Sequence, residues 1–95
     1  MGLEDHIIAE IKQIINVGNL EDLKFYWVEF LQNIEAEAEQ KIAWDYIFQK
    51  IYIHAALKKQ HVICEWLLTL YPLFDPITQI ALKHVFPYAR YLLNK

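Results

Sequence analysis

The residues able to do chemistry are few and far apart. Four histidines (His6, His54, His61 and His84) and one cysteine, Cys64, are the candidate metal ligands and nucleophiles. A structural zinc site takes four nitrogen or sulfur ligands at short spacings. His61-x-x-Cys64 is the nearest match, and it is a lone pair. The same two residues could touch across one helical turn, but a reactive thiolate needs an electropositive, open setting. Cys64 has Val62, Ile63, Trp66 and Leu67 around it, so it reads as a buried, inert thiol. The chain has no serine to serve as nucleophile, and two glycines cannot build a phosphate-cradling loop. Glu35, Glu37 and Glu39 alternate with Ala36 and Ala38. On a helix they do not share one face, so they suggest neither a metal site nor an acid–base pair. The expectation is a non-enzymatic protein with no catalytic residue, no cofactor and no metal.

Composition moves the weight elsewhere. The chain has 95 residues, enough for one domain, and 56% of them are hydrophobic, against about 45–50% in an ordinary soluble domain. A chain this short buries only about 60% of its unfolded surface. Tyr26, Trp27, Phe30, Trp44, Tyr46, Phe48, Tyr52, Trp66, Tyr71, Phe74, Phe86, Tyr88 and Tyr91 cannot all fit inside it. Some are expected at the surface, where aromatic side chains dominate interface energetics. The formal charge is −3 and no basic stripe is present, which speaks against nucleic-acid binding. Met1-Gly2-Leu3-Glu4-Asp5 is acidic where a secretory signal is basic and apolar, and His6 replaces the Ser or Thr of a myristoylation site. No apolar run reaches the roughly 18–20 residues of a membrane span. A reducing, intracellular setting is expected from the lone cysteine.

The elements that must position these side chains are all helical. Leu3, Ile7, Ile8, Ile11, Ile14 and Ile15 recur at spacings of three and four and predict a helix from Leu3 to about Asn16. Gly18 ends it. Asn19 caps the next helix, with Asp22 three residues on; it carries Leu20, Leu23, Phe25, Tyr26, Trp27, Phe30 and Leu31. The stretch from Asn33 to Gln40 reads as a solvated helix start or linker. Ala43, Ile47, Ile51 and Ala55 then form a stripe that predicts one long helix from about Gln40 to Leu57. Lys58-Lys59-Gln60 is a turn. His61 to Leu70 is short and apolar nearly all round, which suggests burial on several sides. Pro72 closes it. Asp75-Pro76 is a helix start, Asp as cap and Pro in the first turn, for a helix to about His84. Pro87 opens the last one, to Leu93. Three helix pairs follow, 3–33, 40–70 and 76–94, in one all-α domain of about five to six helices.

Ala55-Ala56-Leu57-Lys58-Lys59-Gln60-His61-Val62-Ile63-Cys64-Glu65-Trp66-Leu67-Leu68 resembles one ankyrin-type helical hairpin. Ala55-Ala56 hold the small pair that lets two helices approach. Lys59 stands where Gly is usual, Ile63-Cys64 take the place of the valine pair, and Leu67-Leu68 that of the leucine pair. Fainter copies flank it. In the last, Asp75-Pro76-Ile77 match T-P-L, Ile80-Ala81 the small pair, His84 the Gly place and Leu92-Leu93 the leucine pair. In the first, Ile14-Ile15 hold the small pair, Gly18-Asn19 match Gly-His, and Tyr26-Trp27 take the leucine pair. The starts at Ile14, Ala55 and Ile80 are uneven, where true arrays keep a period of about 33 residues. Such aromatic-rich, irregular copies are similar to the ankyrin-like proteins of large DNA viruses and intracellular bacteria. The resemblance implies a binding module in the cytoplasm, a host cytoplasm or a virion, acting on host or virion proteins. It implies no small-molecule substrate. A compact six-helix domain of the death-fold type is the competing architecture, and it would bind like domains. Stacked pairs all running the same way separate the first from the second.

The contact residues are expected on the polar turn Lys58, Lys59, Gln60 and His61, which must face solvent. Trp44, Phe48 and Tyr52 are expected beside it, on a stripe next to the core face of the long helix. The plain alternative is that this second stripe is also core. A protein partner or self-association is expected. His54 is expected to be a helix-face histidine with a backbone or solvent partner.

Overall fold

A computed structural model describes residues 2–37 and 41–95. Among these residues the chain is helical with no strand: α1 (Leu3–Val17), α2 (Leu20–Phe25), a π-helical segment (Tyr26–Leu31), α3 (Gln32–Glu37), α4 (Trp44–Leu57), α5 (His61–Leu68), a 3₁₀ turn (Tyr71–Leu73), α6 (Pro76–Leu82) and α7 (Val85–Asn94). The run from α2 through the π segment to α3 is one continuous rod, so six helical bodies make up the fold.

α1 buries Ile7, Ile8, Ile11 and Ile15 as one face. Its acidic first turn is used twice. Glu4 Oε2 accepts the amide of Ala43 at 3.2 Å, and Asp5 Oδ1 accepts the Tyr46 hydroxyl at 3.0 Å. Both contacts lie at the start of α4. This explains why α4 begins at Trp44 and not at Gln40: the free Ala43 amide at its N-cap is satisfied from α1. Gln40, with residues 38 and 39 of the acidic stretch, lies outside the described residues.

At the other end of α1, the Gln60 side-chain amide donates to the Ile15 carbonyl at 3.2 Å, and His54 Nε2 donates to Asn16 Oδ1 at 2.8 Å. Contacts start-to-start and end-to-end mean that α1 and α4 run in the same sense. Each is followed by a turn and a helix of its own pair, and the π segment and α5 meet through Trp27 and Trp66, whose rings are 6.1 Å apart, edge to face.

The π segment has a local cause. Leu23, Trp27 and Leu31 recur every four residues, and an α-helix carries that spacing around its axis by about 40° a step. The wider π turn keeps Trp27 and Leu31, which lie inside the segment, closer to one line. Leu23 and Leu31 are buried and Trp27 packs against the core. Tyr26 and Phe30 form a second pair at the same spacing, stacked at 5.1 Å. The Tyr26 hydroxyl is buried with no hydrogen-bond partner among the described residues; burial, and after it the nearby Glu10 carboxylate, pushes its pKa up.

α4 is the hub, packing against α1, α5, α6 and α7. Ile47, Phe48, Ile51, Tyr52, Ala55 and Ala56 are all buried. α5 is shorter than the sequence suggests, ending at Leu68, and buries Ile63, Cys64 and Leu67. Asp75 caps α6 by accepting the Thr78 amide at 3.0 Å. α7 begins at Val85, two residues before Pro87. Pro87 falls in its first turn, where no intrahelical amide is lost.

Candidate protein-binding surface

The sequence-predicted contact stripe is mostly core. Phe48 and Tyr52 are fully or almost fully buried. They stack on each other at 5.5 Å; Phe74 meets Phe48 edge-on at 5.4 Å, and Phe86 meets Tyr52 at 5.6 Å and Tyr71 at 4.9 Å. Trp44 is half-buried, its ring 5.4 Å from that of Trp27. The physical reason is the position of α4. A helix covered from several sides buries two adjacent stripes, and spacing alone cannot say how many neighbours a helix has. Phe48 and Tyr52 therefore hold the C-terminal helices and do not face a partner.

The turn divides. Lys58 and His61 are exposed. Lys59, also exposed, and half-buried Gln60 do structural work: Lys59 Nζ donates to the Leu92 carbonyl near the end of α7, and Gln60 lies over Gly18 and bonds Ile15. Lys59 adopts φ 58°. Its amide donates to the Ala56 carbonyl (3.1 Å) and the Gln60 amide to the Ala55 carbonyl (3.0 Å). That pair of bonds is a Schellman motif, which ordinarily takes Gly at this position.

The groups first considered for chemistry are scattered. His6, His61 and His84 are exposed. His54 is half-buried, and burial, then Lys12 and Lys58, push its pKa down. Cys64 is 2% exposed. Burial, with Glu65 adding, raises its thiol to about 11, so it is a thiol at neutral pH. Among the described residues no group of three or more His, Cys, Asp or Glu side chains could hold a metal ion, and no helix is long and apolar enough to cross a membrane.

What the surface does present is unpartnered apolar area. Leu73 and Ile77 are each 78% exposed and Ile80 is 72% exposed. Ile80 and Ala81, matched above to the small pair of an ankyrin hairpin, both lie on the outside of α6, while Leu82 turns inward. Leu73 and Ile77 border a groove of about 670 Å³ whose other walls include Trp27, Trp44 and Phe74. Lys41 and Asp75 stand at its edge, 3.9 Å apart. The Thr78 hydrogen bonds hold the Asp75 carboxyl below the usual range. Nothing in the sequence separated Ile77 and Ile80 from core residues, because their types and spacing are those of a buried helix face.

Comparison with family models, curated proteins and solved structures finds no match to this chain.

Proposed function

We propose that the chain is a non-enzymatic protein-binding module in which α6 and the adjoining groove take the partner. The observation that carries this reading is the row Leu73, Ile77 and Ile80, more than 70% exposed, beside an aromatic-walled groove. Apolar side chains in that number on one short helix and the turn before it gain most by being covered, at about 25 cal/mol per Å² removed from water, and contiguous exposed apolar patches mark interaction sites. The ankyrin-like reading is carried with it. Its support is the same-sense run of α1 and α4, each closed by a turn with one left-handed residue, at Gly18 and at Lys59. The setting proposed for it, an intracellular viral or effector protein acting on host or virion proteins, rests on the resemblance of Ala55 to Leu68 alone.

The test is a double substitution, Ile77→Ser with Ile80→Ser. Both side chains are exposed, so the melting temperature is expected to stay within a degree or two of the parent. Proteins captured from cell extract by the parent chain are expected to be lost by the variant. Capture that is unchanged in amount and identity contradicts the proposal.

A further inference from the structure

Charge is divided along this chain in a way that its modest net value hides. Between Glu21 and Glu39 stand six carboxylates and one cation, Lys24; between Pro76 and Lys95 stand Lys83, Arg90 and Lys95 and no carboxylate. Each set accompanies exposed apolar area. On the N-terminal rod, Phe25 (69% exposed) and Val28 (49%) lie among exposed Glu21, Asp22 and Glu29. Lys24 is committed there to Glu21, at 3.7 Å. On α7, Tyr88 and Tyr91 are half or more exposed beside Arg90. Pro87, Arg90, Tyr91, Asn94 and Lys95 line an open groove of about 400 Å³. No ion pair holds Lys83, Arg90 or Lys95 among the described residues.

We propose that the occupant of the α7 groove is the α2 face of a second copy of this chain. Phe25 enters the groove between Pro87 and Tyr91, and Glu21, Asp22 and Glu29 face Arg90 and Lys95, the cations that line it. The two surfaces are complementary in charge and each carries an aromatic side chain at its centre, the arrangement that steers encounter and fixes register between proteins. Two acidic or two basic faces repel, so each contact sets the α2 face of one copy against the α7 groove of another, either head to tail or reciprocally in a two-fold dimer. The exposed charges are screened within about 10 Å in 0.1 M salt, so the association weakens as salt rises. The inference shares the premise of the proposed function, that exposed apolar faces of this chain bind protein. It uses different residues, so the two fail separately: Ile77→Ser with Ile80→Ser leaves self-association intact.

The experiment is sedimentation velocity on the full chain over a concentration series in low and in high salt, with two charge-reversed variants. One carries Arg90→Glu and Lys95→Glu; the other carries Glu21→Lys, Asp22→Lys and Glu29→Lys. The parent is expected to associate in low salt and dissociate in high salt. Each variant alone now has two faces of one sign, and its association is expected to weaken about tenfold or more. An equal mixture of the two variants is expected to associate again, because each regains a complementary face. Circular dichroism melts confirm that the variants are folded, and Phe25→Ser, uncharged, is expected to weaken association without charge reversal. A parent that is monomeric throughout overturns the proposal. So does association that survives either reversal, or a mixture that stays monomeric. A foreign acidic peptide that binds the α7 groove while the parent stays monomeric also overturns it.

Discussion

The first two helix pairs and the C-terminal pair are joined in different ways. After α1 the chain reverses through Gly18 at φ 81°, whose amide is shared between the carbonyls of Ile14 and Ile15, 3.0 Å each. After α4 it reverses through Lys59 at φ 58°. Between α6 and α7 stands His84 at φ −74°, in the right-handed region. The chain returns here without a left-handed residue: Phe74 before α6 and Phe86 after it both meet Phe48, and Phe86 also meets Tyr71. Phe74 meets Phe48, Phe86 meets Phe48 and Tyr52, and Leu92 lies at Lys59. From Phe86 to Leu92 the contacts advance along α4, from Phe48 and Tyr52 to Lys59, so α7 runs in the same sense as α4.

The means of attachment differ as well. The first two pairs are tied at their turns by polar contacts, Gln60 to Ile15 and His54 to Asn16. The C-terminal helices are held by apolar packing, Leu82, Val85, Ala89 and Leu92 beside an aromatic cluster centred on Phe48, with Lys59 meeting the end of α7. The largest effect is therefore expected on removing that centre. Phe48→Ala should cost about 3–5 kcal/mol and release α6 and α7 first. Hydrogen exchange should show protection lost in 76–94 before α1. Uniform loss of protection would mean that the two regions are not held separately.

A smaller change tests the polar tie. Gln60→Ala removes the bond to Ile15 and should cost about 0.5–1.5 kcal/mol, felt in α1 and not in α7. An equal loss of protection in both would erase the distinction drawn between the two attachments.

Much of the fold was legible because it rests on local chemistry. Gly18 as a stop, Asn19 as a cap and Asp75-Pro76 as a start are each decided by their own backbone and immediate neighbours. Asn19 accepts the Asp22 amide as the spacing expects. Lys59 was visible only through the resemblance, because nothing in a lysine announces a left-handed backbone. The start of α4 was misplaced because Glu4, distant in sequence, supplies the hydrogen bond that fixes Ala43. The candidate site was read least well. Trp44, Phe48 and Tyr52 share a stripe, and so do Ile77 and Ile80. Periodicity reports that a face exists; only the number of helices packed around α4, and their scarcity around α6, decides which face is covered.

The most direct test of the two-turn account is an exchange of residue types at the turns, read by thermal and denaturant melts. Gly18→Ala places a Cβ in the left-handed region and 3.0 Å from Gln60 Nε2; it should cost about 1–2 kcal/mol. Lys59→Gly relieves the same strain at the second turn and should gain up to about 1 kcal/mol, reduced by the lost contact to Leu92. Shifts of opposite sign, down at Gly18 and up at Lys59, are the expected result. A Lys59→Gly protein that melts lower, as a glycine in ordinary right-handed helix does, together with a Gly18→Ala protein that melts higher, would contradict the shared turn on which the account rests.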